Sequence, residues 1–426
     1  MAEVENKPEV KEQPASSRAD GKIPITEIFV IPTPIPFIDA GDTGIKYDFN
    51  YGCRVCLPKS DRLFFVQITD DDTGLIFWQD NVDCSKESKT ITTNQVWFHK
   101  YRILVAHADN HAVLLEHVYY PTNKNVMIQC PECGLGDAIA WFSAALKFKE
   151  KWHCKLYFCV PDYISSIFKN IYPDITFVNK DHVREVKSYA TYYMGLFFGN
   201  EMQYQPVDFR MVGIHKHVAD ILGVSDVEYP PMVDLSAPRQ IKEKYVCIAV
   251  NASSHCKHWN YPGGWIEVVA YLKSLGYRVL CIDKEKVVYR GCGVVEQIPF
   301  GCEDFTGDKP LQERINLIKD ADFFIGLGSG LAWIAWCCRT PVILISGFSH
   351  PSTEFHTKYR VINYGVCNSC WNDLNCKFDH KDPLWCPRHK NDQDAYICTR
   401  AITPLMVKRK IDECIADHKP EENNPA

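Results

Sequence analysis

The chain has 426 residues, 46% of them hydrophobic, enough for two or three packed cores and too much for a small stapled fold. Its 47 Lys+Arg against 53 Asp+Glu give a formal charge of -6, which argues against a global basic field for nucleic acid and leaves only a local basic groove open. The first apolar stretch, ITEIFVIPTPIPFI, carries three prolines and follows a polar leader, so it is poor signal-peptide material, and no run of eighteen apolar residues suggests a membrane span.

Residues 1–25 combine Glu, Lys, Pro and Ser and are expected to form a disordered tail. From 26 to 120 short strand-like pieces such as LFFVQITD, GLIFWQD and AVLLEHVYY, separated by Gly, Asp, Asn and Pro, predict an N-terminal antiparallel β domain. At VMIQC the texture changes to strand, glycine turn and the helical run DAIAWFSAALKFKEKW, followed by the strand CKLYFCV. This alternation predicts a first α/β domain over 121–235. A second set, from KYVCIAV to PVILIS, predicts a matching domain over 236–351 with a cleft between the two. Residues 352–402 abandon alternation for a cysteine-rich finger, 403–420 regain helical periodicity, and 421–426 should be loose.

Twenty cysteines in an exported chain would imply disulfides. Many of these lie in apolar segments such as YVCIAV and AWCCRTPVIL, where a reduced thiol is a small core residue, which favours the cytoplasm. The finger differs. Cys367 and Cys370 form a close pair, and Cys386 and Cys398 can complete a tetrahedral thiolate site that holds together a segment with little core of its own. Cys376 is then a spare thiol. His380 or His389 could replace a cysteine, and iron and zinc both accept this chemistry. Four thiolates leave no open position for catalysis.

Three loops of the second α/β half suggest a phosphate and sugar cleft. GLGSGLAW runs from a strand through Gly326, Gly328, Ser329 and Gly330 into a helix whose first N–H groups can cradle phosphate, with Ser329 as helix cap or ligand donor and Leu331 beside it. NASSHCKHWN places Lys257, next to Trp259, just beyond a strand end, where an ammonium can neutralise a departing diphosphate. GCEDFTGDK offers Thr306 and Gly307 before another helix. Each has a plain structural alternative, and the glycine spacing matches neither a Walker loop nor a dinucleotide fingerprint.

In the first half, CPECGLGDAIAWF reads two ways. Cys130 and Cys133 have metal-pair spacing, whereas GLGD is a strand-to-helix turn that presents Asp137 either as a cap or as a base toward an acceptor hydroxyl. One base without a second nucleophilic carboxylate favours single displacement with inversion. Between the halves, Gln203, Gln205, Asp208 and Arg210 sit among aromatics and could line an acceptor groove or simply pack.

Together GLGDAIAWF, YYMGLFFGNEMQYQPVDFR, NASSHCKHWN, GCEDFTGDKPLQERINLI, GLGSGLAWIAW and the finger CNSCW…LWCPRHK…CTR resemble the bacterial autotransporter heptosyltransferase family, over roughly residues 27–415. The resemblance implies an α/β, GT-B-like pair of Rossmann-type domains related to lipopolysaccharide heptosyltransferases, with the β domain before it and the metal finger after it. It implies transfer of heptose from ADP-glycero-manno-heptose to Ser, and sometimes Thr, hydroxyls of an autotransporter adhesin passenger. It further implies a homo-oligomeric ring of twelve and one structural iron ion per subunit. Carried over residue by residue, Asp137 is the acidic catalytic position and Lys257 the diphosphate contact. Ser329, Gly330, Thr306 and Gly307 face the donor, and Cys367, Cys370, Cys386 and Cys398 bind the metal. Cys130 and Cys133 depart from the family pattern and are read as strand-end packing. The alternatives are a glycosyltransferase with another nucleotide sugar and a lipopolysaccharide or small acceptor, or a noncatalytic metal-stabilised sugar-binding scaffold.

Overall fold

The computed structural model describes residues 38–39, 41–198, 202–291, 294–379 and 381–418. The expected N-terminal tail and the final residues 421–426 lie outside these, as does His380.

Two sheets frame the molecule. The first runs in the order Thr176–Val178, Lys155–Cys159, Asn125–Gln129, Ala190–Tyr193, Lys46–Asn50, Arg54–Leu57, Lys89–Thr92. Its first five strands are parallel and the last two antiparallel. The second is parallel throughout, in the order Glu303–Asp304, Arg278–Cys281, Tyr245–Ala249, Phe324–Leu327, Val342–Ile345, Arg360–Val361. Its centre is covered on both faces, so Tyr245–Ala249 is buried at every position, as a central parallel strand requires.

The β-rich segment divides its strands between two sheets. Ile76–Val82, Phe64–Asp70, Tyr101–His107 and Val113–Val118 form an antiparallel sheet with strict in-and-out burial along Phe64–Asp70. Lys46–Asn50, Arg54–Leu57 and Lys89–Thr92 instead extend the first α/β sheet. Phe49, Tyr101, Tyr119 and Tyr189 meet as one aromatic cluster, so the two regions share a core.

The helices that carry the cleft are α1 (Leu135–Trp152), α2 (Ile214–Leu222), α3 (Gly264–Ser274), α4 (Leu311–Ile318) and α5 (Gly330–Cys337); α6 (Pro404–Asp417) closes the chain. Burial from Ala138 to Ala145 is continuous, which wedges α1 between the first sheet and α5. α6 packs back on α3 and the second sheet, as its periodicity predicts.

The finger is fastened to both halves. On the second half, His255 N–H donates to Pro383 O at 3.3 Å and Ser369 N–H to Gly347 O at 2.8 Å. On the first, Asn372 Nδ2 donates to Arg210 O at 2.9 Å. No helix among the described residues is long and apolar enough to cross a membrane.

Candidate active site

α1 and α5 meet at their N-termini, where both strand-to-helix turns open into the cleft. The glycines are there because nothing larger fits. A Cβ on Gly136 would lie 2.6 Å from Trp333 Cδ1 across the cleft, and one on Gly328 would lie 2.5 Å from Glu354 Oε1. Glu354 is itself buried in an ion pair with Arg360 at 2.7 Å.

Asp137 is the third residue of α1 and accepts from the Gly134 backbone N–H, half of a capping box. Burial pushes its carboxyl above the ordinary range, and the Lys257 ammonium and Gly134 N–H pull it back only in part. Lys257 comes from the opposing half, in the short 3-10 turn His255–Lys257, with Nζ 5.8 Å from the Phe348 ring centroid. Both side chains border one cavity of about 190 Å³ with Gly328, Ser329, Gly330 and Trp333.

The Lys257 loop is clamped by a carboxylate that sequence reasoning missed. Glu296 Oε1 lies 2.7 Å from His255 Nδ1, and Oε2 lies 2.9 Å from His258 Nε2 and 2.7 Å from Arg290 Nε. Burial alone would raise the Glu296 carboxyl, but its hydrogen bonds to His255, His258 and Arg290 outweigh this and hold it far below the usual carboxylate range. Arg290 also donates to Ser253 O at 3.2 Å. Glu296 sits in the hairpin Val287–Gly291/Val294–Gln297, far along the chain from the loop it fixes, and nothing in VVEQ signals the contact.

A second cavity, about 740 Å³, lies on the other side of Leu135, which lines both. Gly307, Leu331, Ile282, Leu311 and Lys284 line it, with Tyr163 from the first half. Arg314 anchors its floor, donating to Phe305 O at 2.6 Å, Gly307 O at 2.8 Å and Asp283 O at 3.0 Å. A small polar chamber at a helix N-terminus beside a larger, more apolar one suits a diphosphate and a nucleoside.

Of the remaining expected contacts, Ser329 borders the smaller cavity and the others fall elsewhere. Trp259 lines neither cavity: it is buried under α3, its indole N–H donating to Ile402 O at 2.8 Å and its ring occupying the space a Gly264 side chain would need. The Thr306 hydroxyl donates to Asp304 Oδ1 at 2.6 Å. Ser329 stands at the N-cap of α5, but its side chain makes no capping bond. Gln203 is exposed, and Gln205 is buried with Nε2 donating to Phe197 O at 3.0 Å. Asp208 caps the turn Phe209–Val212 and pairs with Arg210 at 2.7 Å, a brace between the first half and the finger.

In the finger, the free thiols of Cys370 and Cys367 share a hydrogen bond, and Cys398 has Cys386, Cys367 and Cys256 as neighbours; burial and these thiols push Cys398 up to about 12. Tyr396 N–H points at Cys386 Sγ (3.5 Å) and Arg388 Nη1 at Cys367 Sγ (3.4 Å), donors of the kind that surround metal thiolates. The donor set fits a thiophilic metal, although the thiols do not close into a compact ligand group. Among the described residues, the group of three side chains with ligand atoms all within 4.8 Å is instead His389, Asp392 and Asp394, on the finger's surface. Cys376 turns away to Asp373, and Cys256 is a buried thiol beside the finger that spacing could not reveal.

Comparison with known proteins decides the family. A family model for the N-terminal domain of glycosyltransferase TibC matches residues 41–109, and one for glycosyltransferase family 9 (heptosyltransferase) matches 211–380. The chain is 47% identical over 380 residues, 89% of its length and 95% of the relative's, to the autotransporter heptosyltransferase Aah of Escherichia coli. The chain belongs to the autotransporter heptosyltransferase family. Its fold is GT-B-like: it superposes on the crystal structure of the iron-containing dodecameric glycosyltransferase TibC from enterotoxigenic E. coli with a TM-score of 0.86 and 43% identity, covering 91% of this chain and all of that one. A second TibC structure, in complex with ADP-D-β-D-heptose, gives a TM-score of 0.85 at 44% identity, covering 91% and 99%. The family also holds a relative described as inactive, BimC of Burkholderia thailandensis, 35% identical over 87% of this chain and 86% of that one.

Proposed function

We propose that this chain is an ADP-heptose-dependent protein O-heptosyltransferase acting on Ser, and sometimes Thr, hydroxyls of an autotransporter passenger. The observation that carries the reading is the opposition of Asp137 and Lys257, one from each half, across a cavity headed by the α5 N-terminus. Asp137 takes the hydroxyl proton as the acceptor oxygen bonds to the sugar C1. The C1–O bond to diphosphate breaks, and ADP leaves with the electron pair. Lys257 and the first N–H groups of α5 stabilise the charge on the departing diphosphate, and a single displacement inverts C1. The larger cavity takes the adenosine.

We further assign Cys367, Cys370, Cys386 and Cys398 to one structural iron, with zinc as a competitor, on the strength of the thiophilic donor set and of the iron-containing relative, the thiols drawing together on the ion. The same relative is a dodecamer, and we propose a ring of that size here, working in the cytoplasm on passengers before export. We also divide the chain into a β-rich domain over 26–120, α/β domains over 121–235 and 236–351 and a finger over 352–402, the β-rich domain lending strands to the first α/β sheet.

The test is turnover. Purified protein incubated with ADP-heptose and a passenger fragment should add heptose mass increments mapped to Ser or Thr. Modified lipopolysaccharide with an unmodified passenger would favour a lipid acceptor, and donor binding without turnover would place the chain with the inactive relative.

A further inference from the structure

The larger cavity draws its walls from both halves. Ile282, Leu311 and Leu331 come from the second half, and Leu135, Tyr163 and Ser166 from the first. Of the two donor cavities, Asp137 and Lys257 border the smaller alone and Tyr163 the larger alone. A donor laid through both, with its sugar between Asp137 and Lys257, puts its nucleoside beside Tyr163.

Tyr163 is an exposed aromatic on a fixed support. It belongs to the short helical turn Asp162–Ser165, where Ile164 beside it and Phe168 just beyond are fully buried and Asn179 Nδ2 donates to Asp162 Oδ2 at 3.0 Å. Tyr163 itself is 53% exposed, and its hydroxyl makes no hydrogen bond among the described residues. Burial, and after it the charges of Cys133 and Asp137, push that hydroxyl above the ordinary range, which sets it on the cleft side of the turn. The cavity therefore has aliphatic groups on its second-half wall and an aromatic ring on its first-half wall. A nucleobase presents a flat π face that gains from an aromatic partner whatever its edge carries, whereas a sugar or a diphosphate leaves such a ring unmatched.

We propose that Tyr163 stacks on the nucleobase of the donor, so that the nucleoside is held between the two halves and not by the second half alone. The proposal rests on the donor reading above and adds to it a specificity-determining residue far from the reacting atoms. Its ring does the work, and its hydroxyl has no part in transfer. An occupied donor site then ties the first half to the second at the nucleoside end as well as at the Asp137 turn.

The experiment titrates the full chain with ADP by calorimetry and records its Tm without ligand. Tyr163→Ala should raise the Kd for ADP about tenfold, the loss of one base–aromatic stack, with the Tm unchanged because the side chain is exposed. Tyr163→Phe keeps the ring and should bind ADP as the wild type does. A wild-type Kd in Tyr163→Ala overturns the stacking role. So does a loss in Tyr163→Phe as large as that in Tyr163→Ala, which would assign the contact to the hydroxyl, or a Tm that falls along with the affinity, which would assign the loss to folding. A wild-type protein that does not bind ADP at all overturns the donor reading instead, so the two failures are distinct.

Discussion

Leu135 and Gly330 meet across the cleft: a Cβ on Gly330 would lie 2.7 Å from the Leu135 Cβ. With Gly136 against Trp333, this makes two reciprocal contacts in which a bare backbone from one half receives a side chain from the other. Such contact lets the Asp137 turn and the Ser329 turn approach within one small chamber. Gly136→Ala tests it. Alanine is ordinarily the better helix residue by about 1 kcal/mol, but here the added methyl should destabilise by about 1–3 kcal/mol through overpacking. A denaturant midpoint equal to or above that of the wild type would show that the halves can part to admit it.

Asp137→Asn should lower transfer by about 10²–10⁴-fold while leaving donor binding intact. The wild-type rate should fall as pH drops through a carboxyl pKa displaced upward from the ordinary range, because only the ionised form takes a proton. Stability moves the other way. A carboxyl with a raised folded-state pKa favours folding below its unfolded value, and that contribution is lost as pH rises through the folded one. The Asn variant should therefore match or exceed wild-type stability at neutral pH, and its advantage should vanish in acid. Calorimetric scans across pH check the sign.

Lys257→Ala should weaken ADP-heptose binding and transfer, and Glu296→Gln should reproduce part of that defect by loosening His255 and His258. We expect about a tenfold loss of kcat/KM for Glu296→Gln alone and no further loss in the Lys257→Ala background, the signature of one residue acting through another. Additive losses would mean that Glu296 acts elsewhere.

Cys386→Ser should reduce bound metal, measured by elemental analysis, and lower thermal stability. Because the finger contacts Arg210 on one side and His255 on the other, donor affinity should fall with it although no thiol lines the donor cavities. Full metal occupancy in this variant would redirect attention to Cys256 or to the His389, Asp392, Asp394 group.

Much of this was legible in the sequence. Burial on one or both faces left a clear period in VCIAV, LFFVQITD and the α1 run, and glycine clusters marked the turns that must pass close to other groups. Contacts between distant segments left no local mark. Trp259 beside a lysine reads as a platform for a ligand, yet its ring is core; Asp208 and Arg210 among aromatics read as groove contacts, yet they neutralise each other. Glu296 and Glu354 are buried acids whose partners lie on other elements, and a composition of isolated charges cannot reveal which ones folding will enclose.

The shared first sheet has a consequence for how the molecule can be divided. Strands 46–50, 54–57 and 89–92 prolong the same sheet whose strand 125–129 leads into the Asp137 turn, and Gln129 Nε2 donates to Tyr51 Oη at 2.7 Å. The N-terminal segment is therefore a flank of the first α/β sheet and cannot be cut away as a module. Removing it would open a sheet edge and strip the aromatic packing beside Asn125–Gln129, so an autonomous unit has to include strand 46–50.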